Sequence, residues 1–315
     1  MSWIKYTFLT ALLIFFLAVT ILFTDFYSKK VLGLGEPIVY DAHKLWGYSP
    51  RANKTYRRFQ SDIVTINNIG ARGLSDWNQK GDNIVFFGDS VTYGGSYIDD
   101  DQTFTAVACR SFKKLSCHNL GVNSYGILNM VARNRYDERV NSAKFRVFTF
   151  ITGDFDRGLQ TSQRAHFILR EPPTYLSGLW EILNFVAAGI TPKLWFGKRS
   201  DIESTQEEIY INRKFKLDIF LDELSRLQEN NQKFLLVHSP SMEELENLDL
   251  VKETEILSIL KDVYPDNFIS LSDVLLPHYK SNTKLLFKDN VHYEEKGHLI
   301  VGKYLEPILH KLIVE

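Results

Sequence analysis

The chain has 315 residues, 44% of them hydrophobic, enough to bury one large core or two small ones. Its 37 basic and 38 acidic residues leave a net charge of −1, with no basic stripe for a phosphate backbone and no acidic tail. Nucleic acid is therefore not an expected partner, and no repeat or low-complexity tract argues against a folded body.

The first element is apolar. From Tyr6 to Thr24, YTFLTALLIFFLAVTILFT carries no charge. As a helix it spans about 28 Å, close to the hydrocarbon thickness of a bilayer. A cleaved signal peptide has a shorter apolar region and a small-x-small site. TILFTDFYSKK offers neither, so residues 1–30 are expected to form an uncleaved single-pass anchor that meets the membrane through residues 6–24. Lys5 and the α-amine on one side balance Lys29 and Lys30 on the other, so charge alone does not orient it.

Residues 31–80 hold few apolar runs and several turn signals, YSPRANKTY and TINNIGARGLSDWNQKGD. They are expected to be a lead-in segment, with a hairpin, packed on the domain that follows. From residue 83 strands and helices alternate. Strands are expected at 83–88, 117–121, 145–152, 233–238 and 267–271, and helices at about 102–115, 126–142, 205–230, 248–263 and 293–312. Short apolar strands separated by helices imply a mostly parallel five-stranded sheet covered on both faces, a three-layer α/β/α sandwich over 81–315.

Residues 157–204 break this rhythm as an insertion. Within it, 177–190 is apolar around most of its circumference, apart from Glu181 and Asn184. It is too short to span a bilayer, and a lid or packed insertion helix is preferred to a second membrane contact. Cys109 and Cys117 are the only cysteines; a disulfide in an oxidising compartment and two buried thiols both remain open.

The stretch NIVFFGDSVTYGG, residues 83–95, sets Ser90 immediately after a run of β-formers. Ligands of open α/β sheets bind outside the carboxyl ends of the strands. That rule gathers Ser90, Asn119-Leu120-Gly121 and Gly153-Asp154-Phe155-Asp156, each a polar or Gly-rich break after a strand. FKDNVHYEEKGH adds Asp289 and His292, three residues apart before the last helix. A serine hydroxyl needs a base to take its proton, and the base needs a partner to fix its tautomer. His292 and Asp289 suit those roles, and the backbone N–H groups of Ser90 and Gly121 suit an oxyanion. Asp89 is expected to bond nearby backbone N–H groups, and His298 to pack on the final helix. The other histidines, His43, His118, His166, His238, His278 and His310, show no metal-ligand spacing, so neither metal nor cofactor is expected.

In order, FFGDSVTYG, NLGVNSYG, FITGDFD and DNVHYEEKGH resemble the sequence blocks of the SGNH/GDSL hydrolase superfamily. INNIGARG resembles the lead-in of its membrane-anchored bacterial members. The resemblance covers roughly residues 60–312 and explains 157–232 least. It implies a flavodoxin-like fold, ester-bond chemistry, Ser90 as nucleophile, His292 as base, Asp289 as its orienter and Gly121 as an oxyanion donor. The third block departs from the family's Gly-x-Asn-Asp. Phe155 replaces the Asn in strict register, Asp154 after a one-residue slip, and neither an apolar ring nor an ionised carboxylate donates to an oxyanion. Asn123 is the substitute candidate. The expected function is a membrane-tethered esterase removing acyl groups, most simply acetyl, from an extracytoplasmic substrate such as a surface glycan. Transfer of the acyl group to a sugar hydroxyl uses the same triad, and a weakened site would leave a glycan- or partner-binding subunit.

Overall fold

The computed structural model describes residues 2–58, 62–73, 75–161, 168–195, 206–247, 255–281 and 285–314. Parts of the expected insertion, and residues 248–254 of an expected helix, lie outside them. A helix, Ser2–Lys30, opens the chain and is long and apolar enough to cross a membrane. The lead-in segment then forms two antiparallel hairpins: β1 (Tyr40–His43) with β2 (Gly47–Pro50), and β3 (Lys54–Arg58) with β4 (Asp62–Ile66).

The central sheet contains β5 (Asp82–Gly88), β6 (Leu115–Gly121), β7 (Phe145–Phe150), β8 (Lys233–His238) and β9 (Phe268–Ser270). They lie in the order β6-β5-β7-β8-β9, with every neighbouring pair parallel. The period of two along each strand builds the layers. Val85, Phe87, Phe148, Phe150 and Leu236 face one side and join Met130, Phe220, Leu224 and Leu260 from the helices Ile127–Tyr136, Gln206–Glu229 and Glu255–Val263. Ile84, Phe86, Val147, Leu235 and Val237 face the other, against Phe104, Leu275, Val301 and Leu305 from Phe104–Ala108, Ser272–Ser281 and Glu295–Val314. This is the α/β fold expected, with a wholly parallel sheet.

Local differences have physical causes. The helix expected over 102–115 is an α-helix only at Phe104–Ala108, because Cys109 ends it and is bonded to Cys117 on β6. The single expected hairpin is two. Ser272–Ser281, a helix with Pro277 inside it, went unread because its apolar residues are few and the proline signals a break.

The disulfide closes a loop with a sequence separation of 8. Chain-entropy arguments put its stabilisation at roughly 2–3 kcal/mol. Reduction, or replacement of both cysteines by serine, should lower unfolding stability by about that amount in denaturant titrations. Unreduced folded protein should take up no alkylating reagent at either position.

Candidate active site

In the order β6-β5-β7, the chain leaves β5 to one side and later returns on the other, which opens a crevice at the carboxyl end of β5. Ser90 stands there. Gly88 permits the tight turn, since a Cβ on it would overlap the Thr92 side chain. Asp89, fully buried, accepts the Val91 N–H at 2.8 Å and starts the four-residue helix Ser90–Tyr93. Gly94, in the left-handed region at φ 88°, ends it.

Asp289 and His292 lie on the loop before the helix Glu295–Val314. One Asp289 oxygen accepts the N–H groups of Val291 and His292 at 3.0 and 2.9 Å. The two oxygens stand 2.9 and 2.7 Å from His292 Nδ1. With Nδ1–H donating to the carboxylate, Nε2 is left to accept the Ser90 hydroxyl, 2.7 Å away. Burial pushes the Asp289 pKa up, but the hydrogen bonds from the His292 and Val291 N–H groups and the imidazole outweigh it and hold the carboxyl below its ordinary value.

The INNIGARG segment supports this arrangement from behind. Asn67 Oδ1 accepts the N–H groups of Ile69 and Ala71, and Gly70 turns at φ 74°. That turn delivers Arg72, buried, to the loop after the Ser90 helix. Its guanidinium donates to Asp100 at 2.8 Å, to the Ile98 carbonyl at 2.6 Å and to the carbonyls of Tyr93 and Gly95. From the same loop Tyr97 donates to the Tyr293 carbonyl at 2.8 Å, next to the base. The Lys288 ammonium sits 3.7 Å from the Tyr97 ring centroid.

The expected oxyanion donors fare differently. The Gly121 N–H donates to Asn119 Oδ1 at 2.9 Å, so it is already engaged. Gly121 instead permits close packing, since a Cβ there would overlap the Tyr93 N–H on the nucleophile helix. Asn123 donates its amide to the Tyr40 hydroxyl at 3.2 Å, and its carbonyl accepts from Tyr48. By contrast, the N–H groups of Ser90 and Ser124 meet no acceptor among the described residues. Ser124 is exposed and holds φ 63°, an uncommon conformation for a residue other than glycine.

In the third block, Phe155 points away from the site into a cluster with Phe150 and Phe220 and is fully buried. Asp154 is the residue beside the nucleophile turn, so the slipped register describes the structure. Arg157, which no sequence pattern singled out, donates through one nitrogen to Asp154 at 2.7 Å, Asp89 at 3.2 Å and the Tyr125 carbonyl at 2.7 Å. Burial and the Asp89 carboxylate raise the Asp154 pKa well above the ordinary carboxylate range, against the opposing pull of Arg157 and the Ile151 N–H. Both Asp154 oxygens are engaged, one by Arg157 and the other by the Ile151 N–H, so a cation stands against this carboxyl. Asp156 pairs with Arg213 on the surface at 2.5 Å, and Gly153 belongs to the short turn Thr152–Phe155. His298 is buried, with Nδ1 accepting the Phe104 N–H, and burial lowers its pKa to about 3.

No family model matches the sequence, and no curated protein matches it either. Solved structures resemble the fold. A member of the lipolytic protein G-D-S-L family from Veillonella parvula DSM 2008 is 14% identical, covering 73% of this chain and 99% of that one, with a TM-score of 0.42. An acetyl xylan esterase, AlAXEase, is 16% identical over 72% of this chain and 99% of its own, with a TM-score of 0.44. An acetyl-xylooligosaccharide esterase from Geobacillus Stearmophilus, in a mutant form, is 13% identical over 75% and 96%, with a TM-score of 0.46. Values this low assign no chemistry to the present chain.

The two registers of the third block make opposite predictions. Phe155→Asn buries an amide where a ring packs and should cost about 3–5 kcal/mol of stability. Asp154→Asn is an isosteric change and should stay within about 1 kcal/mol at acidic pH, where an acid whose pKa is raised is protonated. Because the folded pKa of Asp154 is raised above its ordinary 3.8, its contribution is full below that value and declines as pH rises through the folded pKa. Stability measured against pH should therefore decline less on the alkaline side for Asp154→Asn than for the parent.

Proposed function

We propose that the protein is a membrane-tethered serine esterase that removes acyl groups, most simply acetyl, from an extracytoplasmic substrate such as a surface glycan. The observation that carries this reading is the unbroken line of hydrogen bonds from Ser90 through His292 to Asp289, with both links at 2.7 Å. In this mechanism His292 Nε2 takes the proton as Ser90 Oγ forms its bond to the ester carbonyl carbon. The ionised Asp289 stabilises the imidazolium. His292 then returns that proton to the leaving alcohol as the carbonyl reforms on Ser90. In the second half, the base activates water, which releases the acid and restores the serine. The backbone N–H groups of Ser90 and Gly121 are the donors assigned to the transient oxyanion, with Asn123 as a further candidate; in the resting site the Gly121 N–H is held by Asn119.

Two further observations support parts of this reading. The Cys109–Cys117 disulfide suits an oxidising compartment and so supports an extracytoplasmic domain. The Arg157 cation beside Asp154 offsets the negative charge that argued for a disabled, binding-only subunit.

A serine-directed fluorophosphonate should label the full-length protein at Ser90, located by mass spectrometry. Ser90→Ala should abolish labelling, and His292→Ala should slow it, with hydrolysis of short acyl esters falling on the order of 10⁴-fold or more in either variant. A well-folded parent that neither labels nor turns over would end the esterase reading.

A further inference from the structure

We propose that the helix Ser177–Trp195 lies in the lipid interface beside the amino-terminal helix, so that the protein meets the bilayer at two places. This rests on the reading of Ser2–Lys30 as a membrane anchor.

The first turn of this helix is fastened to the base of the anchor. Gly178 and Leu179 donate their N–H groups to Asp25 Oδ1 at 2.8 and 3.1 Å, and Asp25 also pairs with Lys29 at 2.8 Å. The two backbones approach closely, since a Cβ on Gly178 would stand 2.9 Å from Ser28 Cβ. One turn on, Glu181 is fully buried. It accepts two bonds from Arg58, at 2.8 and 3.1 Å, and the Gly35 N–H at 2.5 Å. The only acid in the helix is thus consumed in holding its start to the lead-in segment.

Beyond Glu181 the helix leaves the body of the protein. Leu183 is 57% exposed, Phe185 54% and Val186 50%, and Asn184 and Ala187 are exposed as well. Five consecutive residues point in every direction around a helix, so no single face here is the one that packs. The remaining sequence, ILNFVAAGITPKLW, carries one charge, Lys193. A helix apolar on all sides is stable when something apolar surrounds it, and this one is exposed from Leu183 to Ala187.

Its position selects lipid as that surrounding. Asp25 is the first charge after the uncharged run from Tyr6 to Thr24, which puts the junction at the edge of the hydrocarbon layer. Phe185 follows Gly178 by about 10 Å of helix, close enough to the junction for a helix inclined along the surface to keep Phe185 within an interfacial region roughly 5–8 Å thick. Trp180 near the start, Trp195 at the end and Lys193 beside it are residues that favour the interface. Asn184, Pro192 and Lys193 make full insertion costly, so the helix lies at the surface without crossing. The hydrogen bonds of its first turn run to the anchor and the lead-in segment, which disfavours the lid expected from sequence.

The test uses the full chain in phosphatidylcholine–phosphatidylglycerol vesicles. Nitroxides are placed on Phe185→Cys and Val186→Cys, with Phe16→Cys in the anchor and Lys261→Cys on the exposed domain surface as references. The native cysteines, being paired, take no label. Collision rates with oxygen and with a water-soluble nickel chelate are then compared. At 185 and 186 oxygen should exceed nickel several-fold more than at 261, approaching the ratio at 16. A ratio like that of Lys261 would mean water. Low rates with both reagents would mean cover by a second copy or by the domain, as for a lid. Either result, with Phe16 in lipid, overturns the inference and leaves the anchor standing. A water-like Phe16 would remove the anchor reading and this inference together.

Discussion

A single buried guanidinium, that of Arg72, joins the parts on which the site depends. Burying a cation is costly unless its donors are met, and here Asp100 and three carbonyls meet them. Those carbonyls belong to the loop that follows the nucleophile helix, and the Arg72 N–H pairs with the Asn119 carbonyl on the edge strand. The loop in turn grips the base through Tyr97 and the Tyr293 carbonyl. Ser90 and His292 are 202 positions apart in sequence, yet they meet at hydrogen-bond distance because each rests on this common support. The lead-in hairpins are therefore structural parts of the domain that carries the candidate site.

Around the nucleophile the charges are arranged with some economy. Asp89 and Asp154 are both buried and near each other, and one nitrogen of Arg157 donates to both. Burial and the Asp89 carboxylate push the Asp154 pKa up, and the Arg157 cation opposes them. A cation shared between two buried carboxyls lessens the negative charge that would oppose a developing oxyanion, and the Ile151 N–H donating to Asp154 keeps the turn in shape.

What the sequence revealed follows from how local each signal was. The strands were legible because runs such as Ile84–Phe87 and Phe145–Phe150 are dense in β-formers, and the order of polar breaks after them marked one end of the sheet. Asp289 and His292 were legible because they share one short loop. The register of Gly153-Asp154-Phe155-Asp156 was not, since which side chain turns inward depends on the aromatic cluster around Phe220, far along the chain. The packing role of Gly121 was not legible for a related reason: a glycine that lets a helix approach and a glycine that offers its N–H look alike in sequence. Arg157 shows its role only through three acceptors from different segments, and no spacing rule encodes that meeting.

The short passage between anchor and domain has a mechanical meaning. The Leu34 N–H bonds back to the Ser28 carbonyl, and Gly35 is already held by Glu181, so hardly any free chain separates the helix from the folded body. A long flexible stalk would let a domain sweep a hemisphere and sample substrates at many distances. With the proposed anchor seated in a bilayer, this one would stand at a set elevation, like a tool on a fixed post. Reach would then act as a selectivity filter on the proposed esterase, separate from the shape of its site. A substrate would have to present its reactive group at that height, and lengthening the passage by a few residues would change which molecules qualify without touching Ser90, His292 or Asp289.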